Sequence, residues 1–203
     1  MSLDSRFKDE ALRQLMVEVS ACKKCGLWRS RRNPVLGDGD PSSPIVFIGE
    51  APGYWEDVRG KPFVGAAGRL LDEILGKAMM PRNSVYITNV VKCRPPENRD
   101  PLPEEIEACS PYLDRQLDLI RPRVIVTLGR HSTAYIFSRA SIPFDGISRV
   151  QGKVYEVSFW GERTYVVASY HPAAALYNVR LRGEIENTIK LAGAILGQVL
   201  SKS

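Results

Sequence analysis

Four short apolar runs separated by helical patterns constrain the fold of this chain more than any other feature. They are PIVFIGE at residues 44–50, VYITNVVK at 85–92, RVIVTLG at 123–129 and RTYVVASYHP at 163–172. Runs of this length are typical of strands buried on both faces of a parallel sheet, and the intervening patterns favour crossover helices. The sequence therefore predicts an α/β fold, a three-layer α/β/α sandwich with a mostly parallel central sheet of about four strands. We expect a single domain over residues 1–203.

Other segments predict the elements around this sheet. Residues 7–20 place apolar side chains mostly on one face, which indicates an amphipathic helix. Residues 181–200 predict a closing helix, and KVYEVSF at 153–159 is expected to pair with the fourth run as a hairpin. The stretch GEAPGYWEDVRGKPFVGAAG, residues 49–68, is rich in glycine and acidic residues. We interpret it as a loop that follows the first strand.

The composition excludes several classes of protein. Apolar residues make up 44% of the 203 positions and charged residues 25%, which argues against a disordered, collagenous or coiled-coil chain. No apolar stretch approaches the roughly 20 residues that cross a bilayer, and the charged start MSLDSRFKDEALRQ lacks a secretory h-region. We expect a cytoplasmic monomer without membrane association. The net charge of +5 favours a polyanionic partner such as nucleic acid, with a merely basic surface as an equal alternative.

Polar side chains lie at or near the predicted carboxyl ends of the strands. These ends carry Glu50, Asn89, Gly129 and His171. Because ligands bind outside the carboxyl ends of parallel strands, we expect a carboxylate, an amide and an imidazole to share one site. Each has a structural alternative, in which the side chain bonds a nearby turn or the backbone. His131 also follows a strand and is a competing candidate for the imidazole.

Four cysteines form a second candidate site. They are Cys22 and Cys25, in a CxxC motif, and the more distant Cys93 and Cys109. In a reducing compartment they are not expected to form two disulfides. Four thiolates can complete a tetrahedral zinc site or hold an iron–sulfur cluster, and the residues alone slightly favour zinc. The alternative is a set of unrelated buried side chains.

Five motifs in this order resemble those of a known family. They are GEAPG followed by ED, then GKPFVGAAG, TNVVKCRPPENRDP, EIEACSPYL and HPAA. Together they resemble the family 4 uracil-DNA glycosylases, the iron–sulfur branch of the uracil-DNA glycosylase superfamily. The resemblance runs through nearly the whole chain. Tyr54, Trp55 and the segment after HPAA depart from the usual pattern, and the last departure leaves the residue that enters the duplex open.

The resemblance implies a monofunctional DNA glycosylase that hydrolyses the N-glycosidic bond of uracil in single- or double-stranded DNA. The base is flipped out first, and an abasic site is left for base excision repair. It implies catalysis by Glu50 and His171. It implies substrate contacts from Gly49, Gly53, Glu56, Phe63 and Asn89. It implies DNA contacts from Leu176, Tyr177 and Arg180, with Arg182 beside them, and a structural [4Fe-4S] cluster bound by Cys22, Cys25, Cys93 and Cys109.

The implied chemistry assigns a separate task to each pocket residue. Bond cleavage places positive charge on the sugar, which Glu50 would stabilise, and negative charge on the base, which His171 would stabilise. Asn89 would read the amide edge of uracil and Phe63 would stack on its ring. Glu56 would exclude the methyl group of thymine.

Three rival functions remain open on the sequence. The chain could be a DNA-binding module without catalysis, or a domain associated with a phage-type polymerase. It could also be a broader glycosylase that acts on hypoxanthine or xanthine. A cytidine-type deaminase fits poorly, because no histidine lies near the CxxC motif.

Overall fold

The computed structural model describes residues 3–201, and these fold into helices packed on one central sheet. The α-helices are α1 (Leu3–Ala21), α2 (Tyr54–Arg59), α3 (Ala66–Lys77), α4 (Pro103–Ile120), α5 (Arg130–Arg139), α6 (Ile147–Val150), α7 (Pro172–Tyr177) and α8 (Arg180–Leu200). Short 3₁₀ turns cover Gly26–Arg29, Arg82–Ser84 and Pro96–Asn98. Within residues 3–201, none of the helices has both the length and the apolar character needed to cross a membrane.

The sheet contains six strands in the order β1-β3-β2-β4-β6-β5. They are β1 (Asp38–Gly39), β2 (Ile45–Gly49), β3 (Tyr86–Asn89), β4 (Val124–Leu128), β5 (Val154–Phe159) and β6 (Glu162–Ser169). The four central strands pair in parallel, and the two edge strands pair antiparallel with their neighbours. All residues of β2, β3 and β4 are buried, as expected for strands covered on both faces.

Two apolar cores cover the two faces of the sheet. On one face, Leu15 of α1, Leu113 of α4 and Phe137 of α5 pack over Ile48 and its sheet neighbours. On the other face, helices α3 and α8 pack over the alternate strand residues, which point the opposite way. The arrangement is the three-layer α/β/α sandwich that the sequence predicts.

The four apolar runs are the four parallel strands, and the predicted hairpin between β5 and β6 is confirmed. The prediction of about four strands is low by two. The antiparallel edge strand β5 raises the count, as does β1, whose two residues are too few to leave a periodic signal. The interpretation of residues 49–68 as a loop is wrong in part, because this stretch contains α2. That short helix ends at Gly60, whose φ of +69° suits a glycine C-cap.

Candidate active site

A cavity of about 430 Å³ opens beside the carboxyl ends of β2, β3 and β6. Most of the residues that the sequence predicts for the substrate site line this cavity. Gly49 lies beneath it, next to the lining residues Asn89 and Phe63. The lining residues are Glu50, Ala51, Gly53, Glu56, Phe63, Ala67, Asn89, Asn98, His171, Ala173 and Tyr177. The strand ends thus bring together side chains that are far apart in the chain, such as those of Glu50 and His171.

Gly49 allows its two neighbours to meet at the floor of the cavity. It pairs with Asn89 in the parallel register of β2 and β3. A Cβ atom at Gly49 would lie 2.4 Å from Asn89 Oδ1 and 2.7 Å from Phe63 Cζ, which are distances that real Cβ atoms do not show. Any larger residue at this position would displace the amide or the aromatic ring.

Asn89 presents a buried acceptor that has no partner of its own. Its side chain is buried, and no hydrogen bond reaches Oδ1 within the described part of the chain. An unsatisfied buried acceptor costs about 1–3 kcal/mol. Because Asn89 lines the cavity, this cost fits an oxygen reserved for an N–H group of a bound molecule. The main-chain oxygen of Asn89 is already used, since it accepts a hydrogen bond of 2.6 Å from Lys92 Nζ.

Phe63 is held in an unfavourable backbone conformation with its ring against the cavity. Its φ is +51°, in the left-handed region that non-glycine residues rarely adopt. Its ring lies 5.5 Å from that of His171, with 29° between the planes. Arg82 stabilises the turn, because its Nη1 donates to Phe63 O at 3.1 Å and its Nη2 to Pro62 O. Such strain is concentrated at functional sites.

Glu56 fixes the same turn from the other side. Its Oε1 accepts hydrogen bonds of 2.8 Å from both Val64 N and Gly65 N. Its Oε2 lies where it would be 2.8 Å from a Cβ at Gly53, which leaves that residue no room for a side chain. The carboxylate is therefore a rigid part of the cavity wall.

His171 is both a cavity residue and the N-cap of α7. Its Nδ1 accepts a hydrogen bond of 3.1 Å from Ala173 N. Burial lowers the pKa of His171 to about 4, against the opposing effect of Glu56, so the ring is neutral at pH 7. With Nδ1 acting as the acceptor, the single ring proton is on Nε2. The imidazole therefore offers an N–H donor and no net charge.

Glu50 faces the cavity with its acidity strongly reduced. Burial and the charge of Asp100 together raise its pKa to about 7, against the opposing effect of Arg130. His131 Nε2 lies 3.6 Å from Glu50 Oε2 and 3.7 Å from Asp100 Oδ1. His131 does not line the cavity, so the competing histidine is a neighbour of Glu50 and His171 is the imidazole at the site.

The four cysteines converge on one small pocket. Cys22 and Cys25 follow the end of α1, Cys93 follows β3, and Cys109 lies in α4. Two donors point at the sulfurs: Arg31 Nη1 lies 3.1 Å from Cys93 Sγ, and Lys92 N lies 3.2 Å from Cys109 Sγ. Burial raises the pKa of both thiols, and these donors oppose the rise by favouring the thiolate, which is the form that binds metal.

Both kinds of metal site use such a set of ligands. Four cysteine thiolates can complete a tetrahedral zinc site or hold an iron–sulfur cluster. The convergence of the four cysteines on one pocket therefore suits a metal centre of either kind.

Comparisons with known proteins agree with this geometry. Residues 36–190 match the family model of the uracil DNA glycosylase superfamily. The chain belongs to the uracil DNA glycosylase superfamily. A type-4 uracil-DNA glycosylase of Archaeoglobus fulgidus is 52% identical over 189 residues, which are 93% of this chain and 95% of that protein. A type-4 uracil-DNA glycosylase of Sulfurisphaera tokodaii is 53% identical over 89% of this chain and 83% of that protein. A type-4 uracil-DNA glycosylase of Saccharolobus solfataricus is 51% identical over 85% of this chain and 81% of that protein.

At the mouth of the cavity, this superfamily member exposes the end of α7. Tyr177 lines the opening and is 92% exposed, and Leu176 beside it is half exposed. Arg180 is also exposed at the start of α8. Arg182, in contrast, forms ion pairs with Glu73 and Glu186, so its charge is already balanced within the protein.

The sequence analysis of this superfamily member missed three residues that support the site, because no sequence pattern marks them. Arg82 supports the turn at Phe63 from a distant 3₁₀ turn, and Asp100 approaches Glu50 from the loop before α4. Lys92 is fully buried, and its Nζ donates to Thr88 Oγ1 at 2.8 Å as well as to Asn89 O. A buried lysine contradicts the usual preference of the residue type.

Proposed function

We propose that this chain is a uracil-DNA glycosylase that hydrolyses the N-glycosidic bond of uracil in DNA and leaves an abasic site. The observation that carries the proposal is the meeting of Glu50, Phe63, Asn89 and His171 at one cavity. The names of the type-4 relatives support it. We also propose that residues 1–203 act as one domain, which the single continuous sheet supports.

His171 would stabilise the leaving base. When the bond between N1 of uracil and C1′ of the sugar breaks, the electron pair stays on the base, whose O2 becomes strongly negative. The Nε2–H group of neutral His171 is the donor suited to this oxygen, because Nδ1 is occupied by Ala173 N. A fixed donor that meets developing charge is usually among the largest contributions to catalysis.

Glu50 would act on the sugar side. Its carboxylate stabilises the positive charge that develops at C1′ and accepts a proton from the attacking water, whose oxygen bonds to C1′. The products are an abasic sugar with a hydroxyl at C1′ and the uracil anion, which takes up a proton from solvent, while Glu50 returns its proton to solvent. A pKa of about 7 suits a general base at neutral pH, since the carboxylate is partly ionised and still basic.

Three other residues would select the base. The unpartnered Oδ1 of Asn89 would accept a hydrogen bond from the N3–H group of uracil, and its amide NH₂ would donate to O4. Phe63 would stack on the ring. Glu56 would exclude the methyl group of thymine, because two backbone amides hold its carboxylate rigidly in the wall. Gly49 and Gly53 provide the room for these contacts.

The base must leave the duplex before it can enter the cavity, at a cost of a few kcal/mol. We propose that Leu176 and Tyr177 fill the space that the base vacates, because both are exposed at the end of α7. Arg180 would contact a phosphate at the same place.

We propose that Cys22, Cys25, Cys93 and Cys109 hold a [4Fe-4S] cluster, which their convergence on one pocket and the type-4 relatives support. When bound, the cluster would serve as a cross-link without a redox step in turnover. The cysteines would join the end of α1 and the segment after β3 to α4. Iron and sulfide analysis with a brown absorbance checks this, and stoichiometric zinc in a colourless protein would contradict it.

A substrate panel tests the activity directly. Oligonucleotides that contain U·G, U·A, single-stranded U, T·G or hypoxanthine are incubated with the protein, and alkali then cleaves any abasic sites. We expect cutting at every uracil substrate and none at T·G or hypoxanthine. Intact uracil strands would contradict the glycosylase proposal and leave a DNA-binding module. Cutting at T·G would remove the role of Glu56.

A matched pair of substitutions tests His171. His171→Ser keeps a residue that can cap α7 but does not reach the base, whereas His171→Ala removes both properties. We expect both variants to release uracil about a hundredfold more slowly, with nearly unchanged affinity for DNA that contains a stable abasic-site analogue. A variant that loses affinity as much as rate would remove His171 from the catalytic residues.

A further inference from the structure

Two exposed aromatic side chains stand at the edge of the cavity. Tyr54 and Trp55 form the first turn of α2, between the cavity residues Gly53 and Glu56, and they are 42% and 51% exposed. Their rings meet edge to face with centroids 5.2 Å apart. Neither ring is covered by the core, so burial does not explain their presence.

Three arginines lie over these two rings. The guanidinium carbons of Arg94 and Arg32 lie 5.1 Å and 5.6 Å from the centroid of the Tyr54 ring. That of Arg59 lies 5.6 Å from Trp55. We call these five residues the arginine–aromatic rim. Within residues 3–201, none of the three guanidinium groups forms an ion pair. Stacking uses the face of a guanidinium group, and its N–H donors along the edge stay available.

Two hydrogen bonds hold the rim in place. Asp57 is only 2% exposed, and its carboxylate accepts a hydrogen bond of 2.8 Å from the backbone N–H of Arg32. Arg94 Nε donates at 2.7 Å to Asn98 Oδ1, and Asn98 itself lines the cavity. The rim is therefore connected to the lining of the cavity through Asn98 and through Gly53 and Glu56, which flank the two aromatic residues in the chain.

The rim contains three guanidinium groups that have no carboxylate partner in the part of the chain that the structure describes. Several other arginines are balanced by carboxylates, as in the pairs Arg82–Asp72, Arg115–Glu18, Arg130–Asp100 and Arg182–Glu73, whereas among the described residues Arg121 and Arg180 are also exposed without one. Three unbalanced guanidinium groups beside one cavity create a positive surface where a strand that delivers a base must pass. Planar guanidinium groups match phosphate oxygens in geometry as well as in charge.

We propose that the arginine–aromatic rim binds the phosphodiester backbone of the nucleotides that flank the extruded uracil in the same strand. The inference rests on the proposed function and extends it, because the contacts assigned to α7 and Arg180 lie on a different wall of the cavity. Tyr54 and Trp55 orient the guanidinium groups and keep them from pairing with protein carboxylates. The rim therefore acts on either single-stranded or duplex DNA, since both carry the flanking phosphates.

Salt dependence of binding tests the rim separately from catalysis. The substrate is a single strand with a stable abasic-site analogue, which the protein cannot cleave, and its affinity is measured at several KCl concentrations. Each lost phosphate contact lowers the slope of log K against log[salt] by about 0.7 for a single strand and weakens binding about fivefold at 0.1 M salt. We expect these changes for Arg32→Gln, Arg59→Gln and Arg94→Gln.

Two controls separate charge from folding and from general basicity. Arg94→Lys keeps the charge and should keep most of the salt slope. Arg121→Asn removes an exposed arginine between α4 and β4. The φ of this residue is +50°, which asparagine tolerates. This variant should leave the salt slope unchanged. If the salt slope is unchanged in all three glutamine variants, or changes equally in Arg121→Asn, the rim does not bind phosphates as proposed. Uracil release with unchanged slopes would reject the rim alone, whereas altered slopes in a protein that releases no uracil would reject the glycosylase proposal alone.

Discussion

Asp100→Asn tests the role of Glu50 through a neighbour that does not line the cavity. Burial and the charge of Asp100 raise the pKa of Glu50 to about 7, and Arg130 opposes this rise. If Glu50 acts as a carboxylate, the rate of uracil release must rise with pH through this value, because only the ionised form contributes. Removal of the negative charge at position 100 lowers the pKa and extends activity to more acidic pH.

The distance between Glu50 and Asp100 sets the size of the expected change in the pKa of Glu50. Ligating atoms of Glu50, Asp100 and His131 all lie within 4.8 Å of one another. At that limit, two unit charges repel by about 0.9 kcal/mol in the dielectric constant of water, or about 0.6 of a pH unit. The high dielectric constant is appropriate because the Asp100 side chain is 58% exposed. The midpoint then moves to about 6.4, and the ionised fraction at pH 6 rises about threefold.

Single-turnover release of uracil from a single strand, followed from acid to alkaline pH, measures this midpoint. His171 does not disturb the profile, because its pKa of about 4 keeps it neutral over the range. Arg130→Gln is the matched opposite change and should move the midpoint to higher pH. The pKa of His131 is lowered by burial and by Arg130 and raised by Asp100, so each of the two substitutions moves it in the same direction as the pKa of Glu50. One shared midpoint for the wild type and both variants would refute the reasoning.

Three further predictions follow from the site. Gly49→Ala places a Cβ atom 2.4 Å from Asn89 Oδ1 and should lower kcat/KM about a hundredfold, whereas Gly76→Ala, which meets nothing within 4 Å, should leave it unchanged. Tyr177→Ala should slow release from a U·A duplex about tenfold, a loss of about 1.4 kcal/mol, with little effect on single-stranded uracil; equal losses on both substrates would count against a wedge. Cys109→Ala should remove the bound metal and lower Tm by roughly 10 °C, and an unchanged metal content would show that Cys109 is not a ligand.

The sequence is sufficient to predict the four parallel strands and the residues at their carboxyl ends. The central strands are buried on both faces, so their apolar runs are visible without any alignment, and parallel strands must end at the same edge. Glu50, Asn89 and His171 are recognisable because each stands where such a run stops. The raised pKa of Glu50 follows from the same position, as a carboxylate at the end of a buried strand.

Interactions between distant segments are not visible in the same way. Asp100 and Arg82 act on the site through side chains that reach across the surface, and no local pattern marks their targets. The helix α2 was hidden because its six residues are too few for periodicity and are flanked by glycines. Lys92 in the core was equally unexpected, because its partners Thr88 and Asn89 O become available only after the chain has folded.

The N-cap of α7 is His171, which accepts a hydrogen bond from Ala173 N, and its last residue is Tyr177. The two ends of this very short helix therefore carry two different proposed tasks. At its N-cap, α7 carries the imidazole proposed to meet the departing base, and six residues later it ends in the exposed Tyr177. Because this helix has only six residues, we expect a shift of Tyr177 against stacked bases to move the imidazole as well. Entry into the double helix and alignment of the proton donor would then be coupled. A poorly seated strand would leave the donor out of place and the glycosidic bond intact.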